Sequence, residues 1–123
     1  MSKPGKTGIA RVIDAFGYSM KGFAATWRYE AAFRQEVGLA IILLPTAFWL
    51  AQTHIELILL ISSVFWVLMA ELANSSVEAV VDRTGSERHE LSGRAKDIGS
   101  ALVFMSLVLL AIVWGIIALN RFG

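Results

Sequence analysis

The stretch at 57–77, LILLISSVFWVLMAELANSSV, decides the fold because it is an apolar run that contains a single charged residue, Glu71. At 1.5 Å per residue, about 20 residues of helix cross a hydrocarbon layer of roughly 30 Å. An ionised carboxylate is costly in hydrocarbon, so a membrane helix rarely keeps one without a use for it. The stretch therefore predicts a transmembrane helix that carries a functional carboxylate near one end.

Two further stretches have no charged residue, 37–55 and 98–120, although the polar residues at 52–54 end the apolar part of the first. We therefore predict an all-α membrane protein, a single domain over 1–123, with transmembrane helices at 37–51, 57–77 and 98–120. The alternative is a buried helical core in a soluble protein. However, the chain has only 123 residues, of which 56% are hydrophobic, and three such segments leave too little polar surface to cover them.

The N-terminal segment at 6–28 has apolar residues that recur at spacings of three and four. They are Ile9, Val12, Ile13, Phe16, Met20, Phe23 and Trp27. This spacing predicts one face of an amphipathic helix, and the second, mostly basic stripe beside it is typical of a helix lying in the membrane interface. A simple anchor would also account for the apolar face, but not for Asp14 and Tyr18 among the basic residues.

The basic residues are distributed unevenly along the chain. Six Lys or Arg precede the first span, none lies at 52–56, four lie at 82–97 and one follows the last span. The positive-inside rule then predicts that the N-terminus and the 82–97 segment are cytoplasmic. Gly85 and Gly93 bracket a polar stretch, which predicts a loop there, with the next helix following from about Arg94.

Composition excludes several kinds of site. The chain has no Cys, so thiolate metal sites, disulfides and a Cys nucleophile are excluded. The formal net charge of +1 gives no basic field for a nucleic-acid partner. Neither a P-loop motif nor the signature of protein kinases occurs. A phosphotransferase of this sequence would have to use scattered carboxylates, a divalent metal and single basic residues.

The polar residues after the second span follow a helical pattern. Glu71, Ser75, Glu78 and Asp82 are separated by four, three and four residues, so they share one face. An ion pair with another span is the alternative role for Glu71, but no Lys or Arg lies at matching depth. A solvated helix end is the alternative for Glu78 and Asp82. If Glu78 meets Glu30, the two carboxylates would need a cation between them, and hard oxygens suit Mg²⁺.

The chain resembles the prokaryotic integral-membrane diacylglycerol kinases nearly end to end, and five sequence blocks carry the resemblance. They are EAAFRQE at 30–36, LISS at 60–63, Glu71 with NSSVEAVVDR at 74–83, GSE at 85–87 and HELSGRAKD at 89–97. The resemblance implies a homotrimer in the bacterial cytoplasmic (inner) membrane, with active sites shared between subunits. It also implies transfer of the γ-phosphate of MgATP to the free hydroxyl of diacylglycerol.

The same motifs imply site residues. Glu71 resembles the catalytic base, and Glu30 and Glu78 resemble ligands of Mg²⁺ or another divalent metal. Positions that match the ATP site are Arg11, Tyr18, Glu30, Asn74, Glu78, Glu87, Arg88, His89, Lys96 and Asp97. Positions that match the lipid site are Ser19, Ala31, Arg34, Gln35, Glu36, Trp49, Glu71 and Ser100. Asp14, Met20 and Arg88 differ from the residues common at their positions.

Three other functions remain open at the level of sequence. A kinase of the same family that acts on undecaprenol would have the same composition. A small multidrug or proton-coupled transporter also carries a membrane Glu, but it usually has four spans. A small regulatory or assembly subunit would explain the spans but not Glu30, Glu71, Asn74 and Glu78 together.

Overall fold

The computed structural model describes residues 7–83 and 90–123, and their regular structure is entirely helical. In chain order the helices are α1 (Ile9–Tyr29), α2 (Ala31–Leu50), α3 (His54–Arg83) and α4 (Glu90–Phe122). The last three are long and apolar enough to cross a membrane. The predicted class, three long apolar helices preceded by one further helix, is confirmed by these elements. The chain divides into two compact units between residues 31 and 32.

The first unit consists essentially of α1, and both of its ends are defined by the backbone. Gly8 precedes the helix with φ of 61°, a left-handed conformation that glycine adopts without a steric cost, and its carbonyl accepts from the Val12 N–H at 3.2 Å. At the other end Glu30 is extended, while its N–H still donates to the Thr26 carbonyl at 2.9 Å. Glu30 is therefore the single non-helical residue between α1 and α2.

In the second unit, α3 and α4 form an antiparallel pair joined by polar contacts along their length. Near the middle, the Trp114 indole N–H donates to the Ser63 hydroxyl at 3.0 Å, and that hydroxyl donates to the Leu60 carbonyl at 2.8 Å. Because Ser63 is only 2% exposed, the bond lies in the packed interior of the helix pair. Such an interhelical bond fixes which faces of α3 and α4 meet.

The tight turn between α2 and α3 is closed by two hydrogen bonds similar to those of a capping box. The Glu56 N–H donates to the Thr53 hydroxyl at 3.1 Å, while the Glu56 carboxylate accepts from the Gln52 N–H at 2.8 Å. Its second oxygen accepts from the Asn120 amide at 3.2 Å, which attaches the end of α4 to the same turn. Beneath it, the buried residues Ala47, Leu50, Leu60 and Ile117 form the apolar core of this end.

At the opposite end, both α3 and α4 are longer than the spans predicted from sequence. The structure has helix at 78–83, where helical spacing also predicts it, and at 90–93, within the loop predicted before a helix start at about Arg94. A helix continues beyond the hydrocarbon when nothing breaks its hydrogen bonding, and neither stretch contains a proline. Gly93 is tolerated inside α4, since a helical glycine costs only about 1 kcal/mol relative to Ala. The remainder of the predicted loop, 84–89, lies outside the described residues.

Most of the apolar surface of the three long helices is not covered by the chain itself. Of the 18 most apolar consecutive residues of each helix, only 17% are buried in α2, 33% in α3 and 11% in α4. Apolar surface of this extent marks contact with lipid or with another protein surface.

Candidate functional site

Glu71 is the most deeply buried charged residue that the structure describes. It lies on α3 and is 4% exposed. α3 runs unbroken from His54 to Arg83, so Glu71, Ser75, Glu78 and Asp82 do share one helical face, as the spacing predicts. The buried carboxyl therefore begins a polar strip that continues to the end of the helix.

The carboxyl group of Glu36, on α2, is in hydrogen-bonding contact with that of Glu71. Two ionised carboxylates offer only acceptors, so this contact requires a proton shared between them. The second oxygen of Glu36, Oε2, is buried and has no hydrogen-bond partner within the described chain. The pair therefore joins the buried Glu71 to the partly buried Glu36 and has acceptor capacity left for a further donor, such as a substrate hydroxyl.

Two more buried polar atoms lie one turn further along α3. Asn74 Oδ1 and Ser75 Oγ are buried and have no hydrogen-bond partner in the part of the chain described. Buried polar groups are nearly always paired, so unpaired ones require an explanation, such as a ligand that completes them. Gly99 of α4 faces Asn74 so closely that a Cβ there would collide with Asn74 Oδ1. The missing side chain of Gly99 thus makes room for the Asn74 amide between the helices.

The polar strip ends in an ion pair between α3 and α4. Lys96 Nζ lies 2.8 Å from Asp82 Oδ1, and the negative charge of Glu78 also acts on the Lys96 ammonium. Asp97 and Ser100 follow on α4 and are exposed. The structure therefore brings the predicted nucleotide residues Glu78 and Lys96 to the same end of the helix pair.

Several predicted residues lie in the first unit. Arg11, Tyr18 and Ser19 are exposed on α1, Glu30 is partly buried at its end, and Ala31 begins α2. The approach of Glu30 to Glu78 stays a prediction. Glu87, Arg88 and His89 lie outside the described residues.

The predicted lipid residues of α2 are spread along the helix. Arg34 and Gln35 are exposed next to Glu36. Trp49 lies near the other end of α2, with its ring 5.8 Å from that of Phe122 and 5.3 Å from the Arg121 guanidinium. Thirteen residues of helix separate it from Glu36, which is roughly 20 Å along the axis. The structure therefore does not bring Trp49 to the carboxyl pair.

The oxygen atoms present suit a magnesium ion that arrives with a nucleotide. Within residues 7–83 and 90–123, no three His, Asp or Glu side chains lie close enough together to hold a metal on their own. However, Mg²⁺ in kinase sites is usually held by one or two carboxylates together with substrate phosphates and water. Glu78, with buried amide and hydroxyl oxygens one turn away, has the right chemistry for such a shared site.

Two relationships are not found by reading the sequence. One is the contact of Glu36 with Glu71, and the other is the ion pair of Asp82 with Lys96. Position along the helices would have indicated the first, because both glutamates lie at similar distances from the turn at 51–53 that joins α2 to α3.

Comparison with known proteins gives a consistent result. The sequence profile of the family described as prokaryotic diacylglycerol kinase matches residues 17–118. The chain is 55% identical to a diacylglycerol kinase of Haemophilus influenzae, over 89% of this chain and 92% of the relative. It is 53% identical to that of Escherichia coli K12 (95% and 96% covered) and 47% identical to that of Pseudomonas aeruginosa (94% and 94% covered).

Proposed function

We propose that Glu71 is the general base of this enzyme. The chain belongs to the prokaryotic diacylglycerol kinase family and is a diacylglycerol kinase by that membership. In the reaction, the free hydroxyl of diacylglycerol attacks the γ-phosphorus of MgATP. A new O–P bond forms, the bond from the γ-phosphorus to the β,γ-bridging oxygen breaks, and ADP leaves with the electron pair. The hydroxyl proton passes to the carboxylate of Glu71, and phosphatidic acid is the product.

The observation that carries this proposal is the burial of Glu71 in contact with a second carboxyl group. A pair that shares one proton carries one negative charge. When the proton is on Glu36, Glu71 is the ionised partner and can accept the proton of the lipid hydroxyl. A general base contributes typically about 10² to 10⁴ in rate, provided that it lies within hydrogen-bond reach of the proton. The location of Glu71 in a helix that is long and apolar enough to cross a membrane suits a lipid alcohol.

For the nucleotide, we propose that Glu78 and Glu30 are the carboxylates that hold the divalent metal of MgATP. When bound, the metal would neutralise charge on the phosphates, which together with positioning is most of what phosphoryl transfer requires of a site. Lys96 adds a positive charge, and Asn74 offers its amide to the nucleotide. For the other residues predicted above at the ATP site and the lipid site, we propose the roles that family resemblance implies.

We further propose that α1 lies in the membrane interface and that the N-terminus and the 82–97 segment are cytoplasmic. The apolar side chains of α1 are exposed within the chain, for example Ile9 (79%) and Phe16 (64%), which suits a helix that buries them in lipid. The basic residues of 82–97 support the orientation. A homotrimer with shared sites would cover part of the apolar surface of α2–α4 and would supply carboxylates from two copies to one metal.

The substrate is tested with purified protein in lipid-containing micelles and radiolabelled MgATP. Diacylglycerol and undecaprenol are offered in parallel. We expect label in phosphatidic acid. Label found mainly in undecaprenyl phosphate would support a lipid phosphotransferase but contradict diacylglycerol as its substrate. Absence of label from both lipids would contradict the kinase function itself.

The metal assignment is tested by Glu78→Gln and Glu30→Gln. We expect each to raise the KM for MgATP and to increase the magnesium concentration needed for activity. Glu56→Gln is the matched control, since Glu56 makes its hydrogen bonds at the opposite end of α3. If Glu56→Gln changes the magnesium requirement as much as Glu78→Gln does, the assignment of Glu78 is wrong.

A further inference from the structure

The ion pair of Asp82 with Lys96 connects the last turn of α3 to the beginning of α4. Asp82 is not among the residues assigned above to metal, nucleotide or lipid. We propose that Asp82 is a positioning residue for phosphoryl transfer, which holds the Lys96 ammonium in place to receive the phosphates of ATP. This inference rests on the proposed role of Lys96 at the nucleotide.

The geometry allows Lys96 to bind Asp82 and a phosphate at the same time. A lysine ammonium has three N–H donors, and the contact at 2.8 Å with Asp82 Oδ1 accounts for one of them. The Lys96 side chain is 43% exposed, so the ammonium is accessible to a ligand from solvent. Asp82 can therefore orient Lys96 without occupying the donors that a phosphate needs.

The contact with Asp82 defines the side of α4 on which the Lys96 ammonium lies. Glu78 and Asp82 lie one turn apart on α3, and the charge of each acts on the Lys96 ammonium. Lys96 therefore lies on the side of α4 that faces the polar strip of α3. In the proposed site this is the side on which the nucleotide phosphates meet the Glu78 carboxylate.

Stabilisation of the fold does not account for this ion pair. Asp82 is 65% exposed, and ion pairs at such exposure contribute little to stability. A lysine side chain, by contrast, loses considerable rotamer freedom when it is fixed at a ligand. An aspartate that already restricts Lys96 reduces the entropy lost on binding ATP. Its effect is therefore expected in the affinity for nucleotide rather than in folding.

The test is a double-mutant cycle in the full-length protein, with KM for MgATP and kcat measured on diacylglycerol. We expect Asp82→Asn to raise the KM about twofold to fivefold, the range that corresponds to one exposed ion pair, with kcat nearly unchanged. Asp82→Glu retains a carboxylate and should recover most of the wild-type KM. In the Lys96→Gln background, Asp82→Asn should have no further effect, because the group that it positions is gone.

Glu90→Gln is the matched control, since it removes the same charge from an exposed pair at the start of α4. Glu90 Oε1 lies 3.7 Å from Arg94 Nη2, and their side chains are 87% and 60% exposed. A KM for Asp82→Asn equal to that of the control, a lower KM, or an equal increase with and without Lys96 would overturn the inference while the wild type still makes phosphatidic acid. An inactive wild type would instead overturn the proposed function and the inference with it.

Discussion

Glu36 on α2 and Glu71 on α3 hold their carboxyl groups in hydrogen-bonding contact, and this contact joins two helices at the buried end of the polar strip. In a low-dielectric environment, two adjacent negative charges are far less favourable than one charge and one shared proton. The pair therefore combines a structural role with a chemical one. It bonds α2 to α3 and keeps one buried carboxylate available to accept a proton.

The structural role of the pair is tested by comparing two substitutions of Glu36. Glu36→Ala leaves the Glu71 carboxyl buried without this partner, which should lower the free energy of unfolding by about 1–3 kcal/mol. Glu36→Gln should cost less, because its amide still donates to Glu71. Thermal unfolding in micelles measures both, with Gln35→Ala at the exposed neighbouring position as control. Equal stability of Glu36→Ala and Glu36→Gln would show that the contact does not stabilise the packing of α2 on α3.

Ser63→Ala tests the interhelical bond in the middle of the α3–α4 pair. It removes the acceptor of the Trp114 N–H, and we expect a loss of about 0.6–1.7 kcal/mol in the free energy of unfolding. Ser106→Ala is a close control, since Ser106 is also buried and donates to a carbonyl of its own helix, that of Val103 at 2.7 Å. If both variants lose the same stability, the bond from Trp114 contributes nothing.

Gly99→Ala tests the space that holds the Asn74 amide. The added methyl group would collide with Asn74 Oδ1, so either the amide must rotate or the helices must separate. Overpacking of this kind costs typically about 1–3 kcal/mol, and we also expect a higher KM for MgATP because Asn74 is displaced. Gly115→Ala, in the same helix, meets nothing within 4 Å, so it should leave the KM unchanged and raise stability by up to about 1 kcal/mol through helix propensity. Wild-type kinetics and stability in Gly99→Ala would contradict the proposed place of Asn74 in the site.

Particular residues show what the sequence can and cannot predict here. The spans follow from apolar runs, and the burial of Glu71 follows from its isolation within one of them. The shared face of Glu71, Ser75, Glu78 and Asp82 follows from helical spacing. These features are local, and each is present in a single helix.

What is missed depends on how different helices pack. The contact of Glu36 with Glu71 depends on the rotation of α2 about its axis, which the apolar pattern leaves open because this helix is apolar on nearly every side. The pairing of Lys96 with Asp82 depends on how α3 and α4 are rotated and staggered against each other, which the spacing within either helix leaves open.

The most direct test of the account is the turnover of purified Glu71→Gln, measured as label transferred from radiolabelled MgATP to diacylglycerol. Nucleotide affinity is measured separately by displacement of a fluorescent ATP analogue. The amide of the new side chain can still donate to Glu36, so the fold and the nucleotide affinity should be retained. We predict that kcat falls by at least about 100-fold, as expected on loss of a general base. Turnover close to that of the wild type would contradict the assignment of Glu71 as the base.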